Sequence, residues 1–113
     1  MIILFNGPRN AVVLSTASET ITPASLAVDG KTPITLSIDQ IWYDVGDLAA
    51  ASAVTIAFDA TTDDVVWRCT GREDMCFEEF GGIKNPQSAG FTGGIVITGA
   101  AAYSIILKLR KTP

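Results

Sequence analysis

The sequence contains no histidine, and only 18% of its 113 residues are charged. Without an imidazole, the chain cannot build a Ser-His-Asp triad, a Cys-His dyad or a histidine-containing metal site. Eight basic residues are scattered along the chain and are outnumbered by twelve acidic ones, so the net charge is −4. Proteins that track phosphates concentrate Lys and Arg on one face. We therefore expect neither nucleic acid nor a membrane surface as a partner.

Long apolar runs are also missing. Residues 1–5 are apolar, but no basic residue precedes them and they stop before Pro8, which is too short for a signal peptide. Residues 48–57 are interrupted by polar side chains and fall well below the roughly 20 residues of a membrane span. We therefore expect the protein to be made and kept in the cytoplasm of its producing cell.

Cysteine is scarce. Cys69 and Cys76 are the only two, and their spacing matches neither a CxxC redox motif nor a four-ligand metal site. In a reducing cytosol the simplest expectation is two free thiols, with Cys69 on a strand. A disulfide that spans a predicted loop at residues 71–74 is the alternative.

What the chain does have is β-branched residues in alternating patterns. Apolar and polar side chains alternate over several runs, as expected where one face of a sheet packs on a core. Turn signals such as Asp29-Gly30 separate these runs at roughly 8–12-residue intervals, which is typical of a β-sandwich or barrel. We predict an all-β, single-domain antiparallel β-sandwich of about eight short strands. The predicted strands include residues 1–5, 11–16, 25–28, 33–41, 54–59, 65–70, 94–98 and 103–110.

The predicted organisation is simple. Residues 1–9 form an N-terminal strand or arm, and residues 10–113 form the β-sandwich domain. Residues 48–53 have high helix propensity but are too few for a stable helix, so we expect a loop or a single turn there.

Two acidic groups are candidates for chemistry. The carboxylates between Glu73 and Glu79 could hold a glycosidase pair, but adjacent acids in a loop more often form a solvated rim. Asp59, Asp63 and Asp64 could bind calcium, although Asp is common in turns because it caps backbone N–H groups. We therefore predict a protein that is not an enzyme and that has no catalytic residues, no cofactor and no metal.

Two apolar features predict a contact surface instead. One is the N-terminal tip, which either adds a strand to a neighbour's sheet or pairs within its own sheet. The other is a long glycine-rich loop, whose apolar side chains either cover the end of the core or anchor a partner. The predicted partner-interface residues of these two features are Ile2, Leu4, Phe5, Phe77, Phe80, Ile83 and Phe91.

Several stretches, taken in order, resemble a known group of proteins. They are FDATTDD at 58–64, the Gly81-Gly82 pair, NPQSAGFTG at 85–93, and the segments 95–98 and 103–111. Together they are similar to small virion structural proteins of tailed bacteriophages, some of which are head-decoration or cement proteins. The turn residues of this pattern are Asp63, Asp64, Gly81, Gly82, Pro86, Ser88, Gly90 and Gly93.

The resemblance implies a jelly-roll-like sandwich that binds the outer surface of the major capsid lattice and stabilises the mature head. Its partners would be the major capsid protein and further copies of itself, in a homo-oligomer such as a trimer. Its location would be the outside of the virion capsid. One alternative is another virion component, in the neck, the tail or a head-fibre base. Another is a module that binds host-surface carbohydrate through exposed Trp and Tyr side chains, for which the candidates are Trp42, Trp67, Tyr43 and Tyr103.

Overall fold

The computed structural model describes residues 1–46, 53–99 and 102–113. In this part of the chain, nine strands form two antiparallel sheets, which confirms the predicted all-β sandwich. The predicted turn at residues 48–53 lies almost entirely outside the described residues. The strands are β1 (Ile2–Asn6), β2 (Asn10–Ser15), β3 (Glu19–Ile21), β4 (Thr35–Val45), β5 (Val54–Phe58), β6 (Asp64–Cys69), β7 (Gly71–Cys76), β8 (Ile95–Thr98) and β9 (Tyr103–Thr112).

The strand order is that of a jelly roll. The first sheet has the order β1-β2-β9-β4-β7, and the second has the order β3-β8-β5-β6. The pairs are nested along the chain, with β5 on β6, β4 on β7, β3 on β8 and β2 on β9. Eight nested strands folded into two sheets make a jelly roll, and β1 extends one edge of it.

The core lies between the two sheets. Alternate residues of β2, β4 and β9 point inward from the first sheet, and β5 and β8 supply the facing layer. Each large aliphatic or aromatic side chain buried in this way stabilises the fold by roughly 1.5–3 kcal/mol. The largest side chains without solvent exposure are Phe58, Ile21, Leu26, Leu36, Ile38, Ile41, Ile56, Ile95, Ile97, Ile105, Leu107 and Leu109.

The strand predicted at residues 25–28 is wrong, because Pro23–Leu26 forms a 3₁₀ helix. Pro23 occupies its first turn, where the missing N–H costs nothing. The Thr22 hydroxyl accepts a hydrogen bond from the Ser25 backbone N–H at 3.3 Å and so caps the helix. The turn predicted at Asp29-Gly30 is present, and both residues have positive φ.

The loop predicted at residues 71–74 is also wrong, because these residues belong to β7. Charged side chains suggested a loop, but β7 is an edge strand, where charges are favoured because they discourage pairing with another chain. Only Thr70 separates β6 from β7, which lie in different sheets. Cys69 and Cys76 are both free thiols, and Cys69 lies on β6 as predicted.

The turn segments at residues 58–64 and 85–93 pack on one another. The Thr61 backbone N–H donates to the Ala89 carbonyl at 3.1 Å, and the Asp59 N–H donates to the Gly94 carbonyl at 3.0 Å. Gly93 has φ +85°, and a Cβ there would lie 1.9 Å from the Ile34 carbonyl oxygen. This position therefore requires glycine both for its backbone conformation and for space.

We predict that Gly93→Ala lowers the free energy of unfolding by about 2–4 kcal/mol, because it combines backbone strain with a clash against main chain. Gly46→Ala is the matched control, since no atom of the described residues lies within 4 Å of the added Cβ. Urea unfolding of both variants measures the effect. Equal stability of the two variants would contradict the structural role of Gly93.

The buried thiol predicts a second property, which is sensitivity to alkali. Burial raises the pKa of Cys69 to about 12. The folded state therefore keeps a proton that the unfolded chain loses above a pH of about 9. The free energy of unfolding should then fall by up to about 1.4 kcal/mol per pH unit above that pH. Burial also raises the pKa of Tyr43 and Tyr103, which adds to the loss at higher pH.

We expect Cys69→Ala to remove most of this loss between about pH 9 and about pH 10, measured by urea unfolding across that range. The control Cys76→Ala replaces an exposed thiol and retains Cys69, so its stability should still decline. An equally steep decline in Cys69→Ala would mean that the buried thiol is not the source.

Candidate functional site

The four edge strands of the sandwich differ in charge. The second sheet ends in β3, which contains Glu19, and in β6, which contains Asp64 and Arg68. The first sheet ends on one side in β7, whose sequence GREDMC is half charged. Its other edge is β1, whose sequence IILFN contains no charged side chain. Charged residues protect edge strands from unwanted pairing, so β1 is the edge without that protection.

The apolar side chains of β1 are exposed as well as uncharged. Ile2 and Phe5 are each 57% exposed, Leu4 is 52% exposed and Ile3 is 43% exposed. Four consecutive apolar residues on a sheet edge form a patch of the kind that marks a protein-binding surface. The structure therefore brings Ile2, Leu4 and Phe5, three of the predicted interface residues, together on one strand that pairs with β2.

A β-bulge sets the direction of these side chains. The register of β1 on β2 shifts between Ile3 and Phe5, so that Leu4 is the extra residue. As a result Ile2 is opposite Leu14 and Phe5 is opposite Val12. The inward residues of β2 are the buried ones, and Val12 and Leu14 are half-buried on the other side. Ile2 and Phe5 therefore share the face of the first sheet that points away from the core, which we call the outer face.

Apolar residues continue across the outer face. Leu14 is opposite Ile106 on β9, and Ile106 is opposite Trp42 on β4. The row Ile2, Leu14, Ile106 and Trp42, which we call the apolar stripe, thus crosses four neighbouring strands. It ends at Asp74 of β7, which is opposite Trp42. There it borders a shallow depression of about 430 Å³ lined by Trp42, Ile106 and charged residues of β4 and β7.

The sequence contains a signal for the apolar stripe that the alternating pattern obscured. Residues 11–14 of β2 and 105–107 of β9 are apolar without interruption. An antiparallel strand with one solvated face should alternate with polar residues, so a continuous apolar run indicates that both faces are covered. Leu14, Ile106 and Trp42 were not among the predicted interface residues.

The four predicted loop residues divide into two groups. Phe77 packs edge to face on Trp67, with ring centroids 5.4 Å apart. Ile83 packs against the core and exchanges two backbone hydrogen bonds with Ile38, at 2.9 and 2.7 Å. Phe80 is 81% exposed and Phe91 is 38% exposed. Phe77 and Ile83 thus close the end of the core, while Phe80 and Phe91 are available to a partner.

The predicted turn residues hold their loops by local contacts. Asp63 accepts a hydrogen bond from the Ala60 backbone N–H at 3.1 Å, and the Ser88 carbonyl accepts one from the Phe91 N–H at 2.9 Å. Asp64 begins β6, and Pro86 is exposed. Three glycines with positive φ complete the set: Gly81, Gly82 and Gly90.

The acidic candidates are engaged in contacts of their own. The Thr92 hydroxyl donates to Asp59 at 2.7 Å, and the Tyr43 hydroxyl donates to Glu73 at 3.1 Å. The Lys108 ammonium forms an ion pair with Glu78, which raises the pKa of Lys108. Within residues 1–46, 53–99 and 102–113, no group of three or more His, Cys, Asp or Glu residues could hold a metal ion.

The two tryptophans do not form one sugar-binding platform. Trp42 lies on β4 of the first sheet, whereas Trp67 lies on β6 of the second and is half-buried against Phe77. A platform for a saccharide requires aromatic faces on one exposed surface. Only Trp42 lies on the outer face.

Comparison of the chain with protein-family models, with curated proteins and with solved structures found no match. Among the described residues, no helix combines the length and the apolar character required to cross a membrane.

The division of the loop residues is testable by stability. We expect Phe77→Ala to lower the free energy of unfolding by about 1–3 kcal/mol, because it removes a half-buried ring that packs on Trp67. The exposed Phe80→Ala should change it by less than about 0.5 kcal/mol. Thermal unfolding of both variants measures the difference. A large loss in Phe80→Ala would mean that its ring belongs to the core.

Proposed function

We propose that the protein is a decoration, or cement, protein of a tailed-bacteriophage head. In this proposal it binds the outer surface of the major capsid lattice and stabilises the mature head. Its partners are the major capsid protein and other copies of itself, and it is located on the outside of the virion capsid. The proposal combines the resemblance of residues 34–111 to virion proteins with the character of the exposed surface.

The observation that carries the proposal is the uncharged β1 edge with its continuation in the apolar stripe. Three edge strands contain charged residues, and β1 contains none. Exposed apolar side chains on β1, continued by half-buried ones on the adjoining face, favour a role in binding another protein. Jelly rolls are a common architecture of virus shells, which agrees with this role.

Binding of this kind stabilises a capsid by mass action. A subunit that binds the assembled lattice but not its separated coat proteins shifts the equilibrium towards the lattice. Repeated weak contacts become effective when geometry allows them to engage together. A rigid sandwich with one apolar binding surface suits this role, and the role requires no catalytic group.

The nearest alternative is another virion component, at the neck, the tail or a head-fibre base. Such a component would bind its partner through the same apolar surface, but at a different location in the virion. Electron microscopy of particles distinguishes the two, because a decoration protein covers the shell in many copies whereas a neck or tail component forms one ring.

We predict that the double variant Ile2→Lys/Leu4→Lys binds undecorated heads of the encoding phage at least about tenfold more weakly than the parent. Lysine ammonium groups on β1 would have to be desolvated in an apolar interface. Both side chains are more than half exposed, so the stability of the isolated protein should change by less than about 0.5 kcal/mol. Co-sedimentation with heads measures the binding.

The matched control is Val65→Lys, which places a lysine on β6, an edge strand of the other sheet where the parent side chain is 48% exposed. This variant should bind as the parent does. Undiminished binding of Ile2→Lys/Leu4→Lys would remove β1 from the interface. A parent protein that fails to bind heads at all would overturn the decoration role.

A further inference from the structure

Basic residues that are scattered in the sequence meet in one groove of the structure. A cavity of about 960 Å³ lies where the turn between β1 and β2, the loop at residues 28–33 and the end of β9 come together. We call it the basic groove. Five of the eight basic residues of the chain line it: Arg9, Lys31, Lys108, Arg110 and Lys111.

The basic groove has the opposite sign of charge to the whole protein. Three acidic residues, Asp29, Asp39 and Glu78, line it beside the five basic ones, which leaves an excess of two positive charges. The whole chain has a net charge of −4. A local positive field in an acidic protein attracts and orients an anionic partner.

Three of the five cations are already bound by the chain itself. Lys108 pairs with Glu78, and Arg110 pairs with Asp39 at 3.2 Å. Lys111 is buried and donates to three oxygens of the β1–β2 turn and the 3₁₀ helix, those of Asn6, Gly7 and Leu26. Its desolvation lowers the pKa of Lys111.

Arg9 and Lys31 are the cations left for a ligand. Both side chains are exposed, and among the described residues neither forms an ion pair. They lie on separate segments that border the same groove, the β1–β2 turn and the 28–33 loop. A ligand that pairs with both therefore bridges these two segments across the groove.

Asp39 is held by the chain and not left for a ligand. It is the extra residue of a β-bulge in β4 and is only 2% exposed. Arg110 binds its Oδ2 atom, and its Oδ1 atom is buried beside Gly82, outside the groove. The charge that the groove offers to a partner is therefore that of Arg9 and Lys31.

We propose that the basic groove binds an extended acidic peptide segment of a partner protein. Carboxylates of the segment pair with Arg9 and Lys31. The proline and valine side chains that also line the groove contact the apolar parts of the segment. A peptide supplies negative charge and apolar surface together, which neither a free anion nor a phosphate backbone does.

The groove continues the surface that the proposed function uses. Lys108 and Arg110 follow Ile106 on the outward side of β9, so the apolar stripe passes directly into the groove. A partner held by the stripe would therefore present its acidic segment to the groove. The identification of this partner as the coat subunit rests on the proposed function, whereas peptide binding itself does not.

The test uses the intact protein and a fluorescein-labelled oligoglutamate peptide, with binding followed by fluorescence anisotropy. We expect saturable binding that weakens as salt is raised from about 50 to about 300 mM. The double variant Arg9→Glu/Lys31→Glu should bind at least about tenfold more weakly. Its control, Arg68→Glu/Lys84→Glu, changes the net charge equally at two exposed basic positions outside the groove and should bind as the parent does.

Three results would overturn the proposal. They are the absence of saturable peptide binding, equal losses in the two double variants, and tighter binding of an oligothymidylate of matched charge, which would make the groove a nucleic-acid site. Because no capsid is present in this assay, its failure leaves the decoration role standing. If Ile2→Lys/Leu4→Lys loses head binding but keeps peptide binding, then β1 and the basic groove are separate binding surfaces.

Discussion

The backbone groups at the edges of β-sheets are the constraint on which this molecule depends. Two sheets in a sandwich leave four edge strands, each with N–H and C=O groups that no neighbour satisfies. Here β3, β6 and β7 carry charges, and their sequences are polar or mixed. The remaining edge, β1, has no charged residue, and four of its five residues are apolar. The contrast between β7 and β1, the two ends of the same sheet, separates an edge that faces solvent from one suited to contact with protein.

The turn segments at 58–64 and 85–93 serve the architecture of the sandwich. They bond to each other, as from the Thr61 N–H to the Ala89 carbonyl, and the Gly93 carbonyl accepts a hydrogen bond from the Leu36 N–H of the first sheet. Gly90 and Gly93 leave no space for a side chain against Thr61 and Ile34. Glycines at such turn positions indicate the fold, because the backbone conformation and the limited space exclude other residue types there. The apolar stripe and the basic groove are built from other residues.

Much of the fold could be predicted from the sequence, and the surface only in part. Alternation in β9 reports a half-buried strand directly, since it depends only on local side-chain direction. The strand β7 was not predicted because its charged residues reflect its position at a sheet edge. Which strand lies at an edge depends on how the whole sheet is assembled. The basic groove was not predicted for a similar reason. Arg9, Lys31 and Arg110 are far apart along the chain, and only the nested pairing of strands brings them to one end of the sandwich.

The bulge at Leu4 has a consequence for the free protein. A flat, uncharged strand rich in Ile, Leu and Phe is the kind of segment that stacks into cross-β aggregates when many copies are present. The irregular register between Ile3 and Phe5 twists the edge and breaks its regular ladder. Strand-on-strand growth from this edge is therefore hindered, while the side chains on the outer face remain accessible. Free copies of the protein can in this way keep exposed apolar side chains on this edge without precipitating through it.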